Sequence, residues 1–108
     1  MSTLTRWIVD KPLKVHGTFV LSVDIGTIAA MGNAGVDRHS GVFATITELR
    51  SLPHPPTFPF PVDVPFIGAA HMEIRNIAPR DDGRVDLLVN VDWPYNLYVG
   101  IQLLVVND

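Results

Sequence analysis

The sequence predicts a small all-β, mainly antiparallel domain, a sandwich or barrel of about five to seven strands. Three observations carry that expectation: apolar and polar residues alternate with a period of two, the alternating segments are rich in β-branched and aromatic residues, and short turn signals separate the last of them. From Leu13 to Ile25 the odd positions read Leu, Val, Gly, Phe, Leu, Val, Ile and the even ones Lys, His, Thr, Val, Ser, Asp. Successive side chains of a strand point to opposite faces, so this pattern is a strand with one buried face and one wetter face. Short strand pieces are also expected near Trp7 and Phe66.

Met31 to Gly41 gathers Gly32, Gly35 and Gly41 with Asn33, Asp37, Arg38, His39 and Ser40, which predicts a loop without regular structure. Val42 to Leu52 begins Val-Phe-Ala-Thr-Ile-Thr, a strand, and shifts toward helix formers at Glu48. Between Pro53 and Pro65 there are six prolines in thirteen residues. They delete amide donors and fix φ, so the segment reads as a rigid proline-rich connection across the end of a sheet.

Three strands follow, His71 to Ile77, Val85 to Trp93 and Tyr98 to Val106. Asp82-Gly83 suits a two-residue type I′ turn and Pro94-Tyr95-Asn96 a second short turn, so a C-terminal three-strand meander is expected. In that register Trp93 faces Tyr98, Val91 faces Gly100, Val89 faces Gln102 and Leu87 faces Leu104, forming the core face. Val99, Ile101, Leu103 and Val105 then stand on the other face beside Asp92, Asn90, Leu88 and Asp86. Four aliphatic side chains left in water would forgo roughly 6–12 kcal/mol. Either the rest of the chain covers them, or a second copy does, which makes the four a candidate self-association surface.

A chain of 108 residues with 47% apolar and 18% charged residues has the size and composition of one folded domain, 1–108. The net charge of −3 offers no basic field for phosphate backbones or anionic lipid, so neither nucleic acid nor membrane is an expected partner. No signal peptide and no membrane-spanning apolar run is read, and a soluble protein is expected. The absence of Cys removes disulfides, thiolate metal sites and cysteine nucleophiles, and points to a reducing, cytoplasmic location.

Candidate chemistry is sparse. The first expected turn places Glu73 opposite Asp92, Arg75 opposite Asn90 and His71 opposite Pro94, so His71, Glu73 and Asp92 form a candidate metal or acid/base cluster. His16 and Asp24 share the wetter face of the first strand with Thr18 and Ser22, too far apart to hold one ligand unaided. Gly32-Asn-Ala-Gly35 lacks the spacing of a phosphate loop, and Asp37, His39 and Ser40 crowd into one loop without a nucleophile elbow. Phe58, Phe60, Phe66, Trp93 and Tyr95 are candidate ligand-binding aromatics. With no catalytic motif and no cofactor expected, the leading expectation is a noncatalytic β module that self-associates and acts as a binding or assembly unit. Its partner is a second copy, or an unidentified protein or small molecule. The alternative is a small-ligand-binding barrel, enzymatic or not, with an aromatic-lined pocket.

Overall fold

Each alternating segment of the sequence becomes a strand, and the strands divide between two antiparallel sheets. The computed structural model describes residues 3–9, 13–52, 62–65 and 67–107. These residues form eight strands: β1 (Thr3–Ile8), β2 (Leu13–Val15), β3 (Gly17–Asp24), β4 (Gly41–Leu52), β5 (Val62–Pro65), β6 (His71–Pro79), β7 (Arg84–Asp92) and β8 (Leu97–Asn107). One sheet runs β1-β8-β4-β5, with β2 pairing the start of β8 beside β1; the other runs β3-β7-β6. Face to face they make a small all-β sandwich, as the period-two pattern predicts.

The strand count exceeds the expected five to seven because the first long alternation is cut in two. β2 belongs to the five-stranded sheet and β3 to the three-stranded one. The chain changes layers at His16–Gly17, where Gly17 takes φ +75°, a conformation that is unstrained only without a Cβ. The pieces expected near Trp7 and Phe66 are β1 and β5; Phe66 itself and the proline-rich residues 53–61 lie outside the described residues. β4 stays extended through Glu48 to Leu52, because pairing with β8 and β5 outweighs the weak helical preference of Glu48-Leu-Arg.

The last three strands are present, but not as a paired meander. β6 and β7 form a hairpin, whereas β8 crosses to the other sheet and sits between β1/β2 and β4. Pro94 cannot donate to a ladder, and Trp93 N–H turns back to the Val91 carbonyl at 2.9 Å, so the Trp93–Asn96 link leaves the sheet instead of reversing within it. The consequence inverts the faces of β8. Val99, Ile101, Leu103 and Val105 are fully buried against the other sheet, while Gln102 and Leu104 face outward. Burying the uninterrupted aliphatic row removes more apolar surface from water than burying the row that carries Gly100 and Gln102. The four residues are therefore core, covered within one chain, and not the self-association surface the sequence suggested.

The core joins Val85, Leu87, Val89 and Val91 of β7 to Ile101, Leu103 and Val105 of β8, with Ile25 and Val36 at one end. The β6–β7 turn also departs from expectation. Arg80 N–H donates to the Arg84 carbonyl at 2.8 Å and Gly83 N–H to the Arg80 carbonyl at 3.1 Å, closing a three-residue loop with Gly83 at φ +85°. Among the described residues no residue other than glycine has positive φ, so Asp82 does not serve a type I′ turn. The register shifts accordingly: His71 pairs with Asp92 and Glu73 with Asn90. A bulge between Ile74 and Asn76 then inserts Arg75 and lets Met72, Ile74 and Ile77 all turn inward.

The glycine-rich segment is tied down. Thr27 caps a one-turn helix, α1 (Ile28–Met31), its hydroxyl accepting Ala30 N–H at 3.2 Å, and a 3-10 turn follows at Gly32–Ala34. Val36 is fully buried and its N–H reaches the Gly26 carbonyl at 2.9 Å. Asn107, buried at the end of β8, donates to the carbonyls of Asn33 at 2.8 Å and Gly35 at 2.7 Å and accepts from Ser40 Oγ at 2.5 Å. The segment closes one end of the sandwich because its orphan backbone groups have found partners.

Candidate functional site

The outer face of the five-stranded sheet is the most apolar exposed surface among the described residues. Register sets its rows across the sheet: Leu4, Val106 and Gly41; Arg6, Leu104 and Phe43; Ile8, Gln102 and Thr45; then Thr47 with Gly100, and Tyr98 with Lys14. Leu4 is 65%, Phe43 64% and Ile8 56% exposed, so none of these large side chains is used by the fold. A groove of about 300 Å³ lies between Arg6, Phe43, Thr45, Gln102 and Leu104. Polar groups stand among them: Arg6, between Leu4 and Ile8 on β1, donates through Nε to Gln102 Oε1 at 3.1 Å on the central strand β8, and Lys14 Nζ lies 5.6 Å from the Tyr98 ring centre. No carboxylate is present among the described side chains of β1, β2, β4 and β8 on this face. Large apolar side chains left exposed together on one face mark an interaction surface.

Among the described residues the sandwich is closed on one side and open on the other. β4 and β6 approach each other closely, whereas between β3 and the β1–β2 border there is a cleft of about 440 Å³. Trp7, Val9 and Leu13 line it from one sheet and Leu21, Val23 and Ile25 from the other. Trp7 Nε1 is buried there without an acceptor among the described residues. The inward side chains of β3, Phe19, Leu21 and Val23, are only half-buried, although their register partners Val89, Leu87 and Val85 on β7 are fully buried.

The outer face of the three-stranded sheet is polar and internally paired. Thr18 Oγ1 donates to Asn90 Oδ1 at 2.8 Å, Ser22 Oγ to Asp86 Oδ1 at 2.5 Å and Arg80 Nε to Asp86 Oδ2 at 3.1 Å. The Ser22 hydroxyl, then the Arg80 guanidinium, hold the Asp86 carboxyl below its ordinary 3.8. Arg75, whose Nε lies 2.7 Å from Glu73 Oε1, does the same to Glu73, with a smaller contribution from His71. A carboxyl depressed in the folded state stabilises it above the unfolded value, and that contribution is lost as pH falls through the folded one. Melting temperature should therefore drop on acidification below about pH 4. Asp86→Asn should flatten that acid limb in a melting series across pH, and an unchanged limb would show that the Ser22–Asp86–Arg80 network adds nothing.

Several residues singled out by the sequence are separated by the fold. His71 and Glu73 do meet, Nε2 to Oε2 at 3.7 Å, but Glu73 is engaged by Arg75. Asp92 sits across from His71, not from Glu73 as expected, because the longer turn and the Arg75 bulge each move the register by one residue. Among the described residues no group of three or more His, Asp and Glu is arranged to hold a metal ion, so the His71–Glu73–Asp92 metal site is not formed. Trp93 does not continue the core alternation: it is 37% exposed and Tyr95 72% exposed, both on the link between layers. Phe58, Phe60 and Phe66 lie outside the described residues. Ser40 Oγ is buried against Asn107, and His39 Nε2 accepts from Arg38 Nε at 3.3 Å, so Asp37, His39 and Ser40 form no relay.

Sequence reasoning passed over Leu4, Ile8 and Phe43, and placed Leu104, which is 38% exposed, on the core face. The available signal was that β1, β4 and β8 carry large apolar residues on both alternating sides, which one buried face cannot use.

No family model, curated protein or solved structure matches the chain. Fold and surface together define a small antiparallel β-sandwich, open along one side, with an exposed apolar sheet face. No helix among the described residues is long and apolar enough to cross a membrane.

Proposed function

We propose that this chain is a noncatalytic β-sandwich unit that self-associates and serves as a binding or assembly module, covering the outer face of its five-stranded sheet with a second copy. The observation that carries this reading is the exposure of Leu4, Ile8 and Phe43 around Leu104 on one flat face. Their exposed area is on the order of 400 Å², within the range that marks a functional patch on a monomer. A second copy suits it because two sheets with the same right-handed twist stack face to face, as the two layers of this domain already do. The buried, committed hydroxyl of Ser40 supports a role without catalysis.

Light scattering coupled to size exclusion tests the reading. The expected mass at micromolar concentration exceeds the 11.9 kDa of one chain, and Phe43→Glu lowers it while leaving the circular dichroism spectrum unchanged. A single-chain mass for the unsubstituted protein, or a mass indifferent to Phe43→Glu, overturns it.

A further inference from the structure

We infer that β3 is a second self-association surface, at which two copies join edge to edge, antiparallel, with Val20 of each chain on the two-fold axis. The inference rests on the self-association reading but uses a different strand and a different sheet.

β3 is the exposed edge of the three-stranded sheet, and among the described residues nothing pairs with its outer side. Edge strands invite pairing unless they are blunted by a bulge, proline or charge. The opposite edge, β6, is blunted by its bulge at Arg75 and by Pro79. β3 reads Gly-Thr-Phe-Val-Leu-Ser-Val-Asp, eight residues without proline, bulge or lysine. Its centre, Val20, is 66% exposed.

The sequence around Val20 is complementary to itself under reversal. With Val20 opposite Val20 of the second copy, each Thr18 stands opposite a Ser22, and each Asp24 reaches the corner residue His16 at the other chain's end of the strand. On the inward side Phe19 falls beside Leu21 of the second copy, which covers the side chains that the open side of the sandwich leaves half-buried. A register centred on Leu21 would instead set Val20 against Ser22 and Asp24 against Thr18, losing both the apolar and the imidazole–carboxylate pairs. The two residues that lie too far apart along one strand to act together, His16 and Asp24, are brought together by the two-fold axis. The product is a continuous six-stranded sheet, β6-β7-β3 and its symmetry copy. Combined with stacking through the other sheet, it makes the unit two-sided, as a building block of an extended assembly must be.

The chain has no Cys, so introduced thiols report the geometry cleanly. Val20→Cys is expected to give a disulfide-linked dimer under mild oxidation, while Ser22→Cys, whose partner position is Thr18, does not. His16→Asp, placing carboxylate against carboxylate twice, should weaken association about tenfold or more. The double swap His16→Asp with Asp24→His should restore it. Both effects are read by light scattering in the Phe43→Glu background, where the stacked face is already disabled and the expected species is the β3-paired dimer. A protein of single-chain mass without any substitution removes both readings. Phe43→Glu that alone yields a monomer, equal crosslinking at positions 20 and 22, or a swap that fails to restore association overturns the β3 pairing and leaves the stacked face intact.

Discussion

Leu103→Ala is expected to lower stability by about 2–5 kcal/mol, the range for removing a leucine from a tightly packed core. Leu103 is fully buried, next to Trp7 of β1 and Ala44 of β4 in the register of its sheet. A domain of this size has about 5–15 kcal/mol in all, so the melting temperature should fall by roughly 10–20 °C. Its chain neighbour supplies the control. Leu104 points outward and is 38% exposed, so Leu104→Ala should move the melting temperature by only a few degrees. Thermal and urea melts of the two variants read directly which face of β8 is inside. Equal losses, or a larger loss at Leu104, would place the aliphatic row outside the core and undo the two-sheet assignment of β8.

Gly83→Ala is expected to cost about 3 kcal/mol or more, for two reasons that add. Gly83 has φ +85°, where a side chain costs roughly 1–2 kcal/mol. A Cβ there would lie 2.3 Å from the Gly26 carbonyl carbon and 2.5 Å from the Thr27 nitrogen, backbone atoms that cannot swing away. Moving apart would break the bonds from Ile25 N–H and Gly26 N–H to the Gly83 carbonyl, each 3.0 Å long, which moor the β3–α1 connection to the β6–β7 turn. Gly32 separates the two causes. It has φ +60° and ψ −143°, a conformation nearly confined to glycine, with open space where a Cβ would stand, so Gly32→Ala should show the conformational cost alone, about 1–3 kcal/mol. If both variants melt alike, the close approach at Gly83 contributes nothing.

The strands were legible because alternation is a local property. Leu13–Ile25, Val85–Trp93 and Tyr98–Val106 all read as extended from spacing alone, and so did the antiparallel all-β class. Register was less legible. One residue more in the Arg80–Arg84 turn and one at the Arg75 bulge were enough to move Glu73 from Asp92 to Asn90, since each inserted residue shifts the pairing by one and exchanges the faces, and two together restore the face but change the partner. The candidate site suffered from the same ambiguity. Val99, Ile101, Leu103 and Val105 were recognised as a row that must be covered, but Phe43, Leu4 and Ile8 drew no notice, because a strand apolar on both sides does not reveal which side the fold uses.

What the amino-acid sequence determined by itself is the material: where the chain is extended, where glycine and proline interrupt it, and how many aliphatic rows need shelter from water. What only the tertiary structure decided is the partner of each row. β8 could have continued a meander with β7, but Pro94 and the Trp93–Asn96 link carry it to the other layer, where its aliphatic side meets that of β7. Local pattern sets the two faces of a strand, but burial is a contest between distant faces, and the pairing that removes the most apolar surface from water prevails.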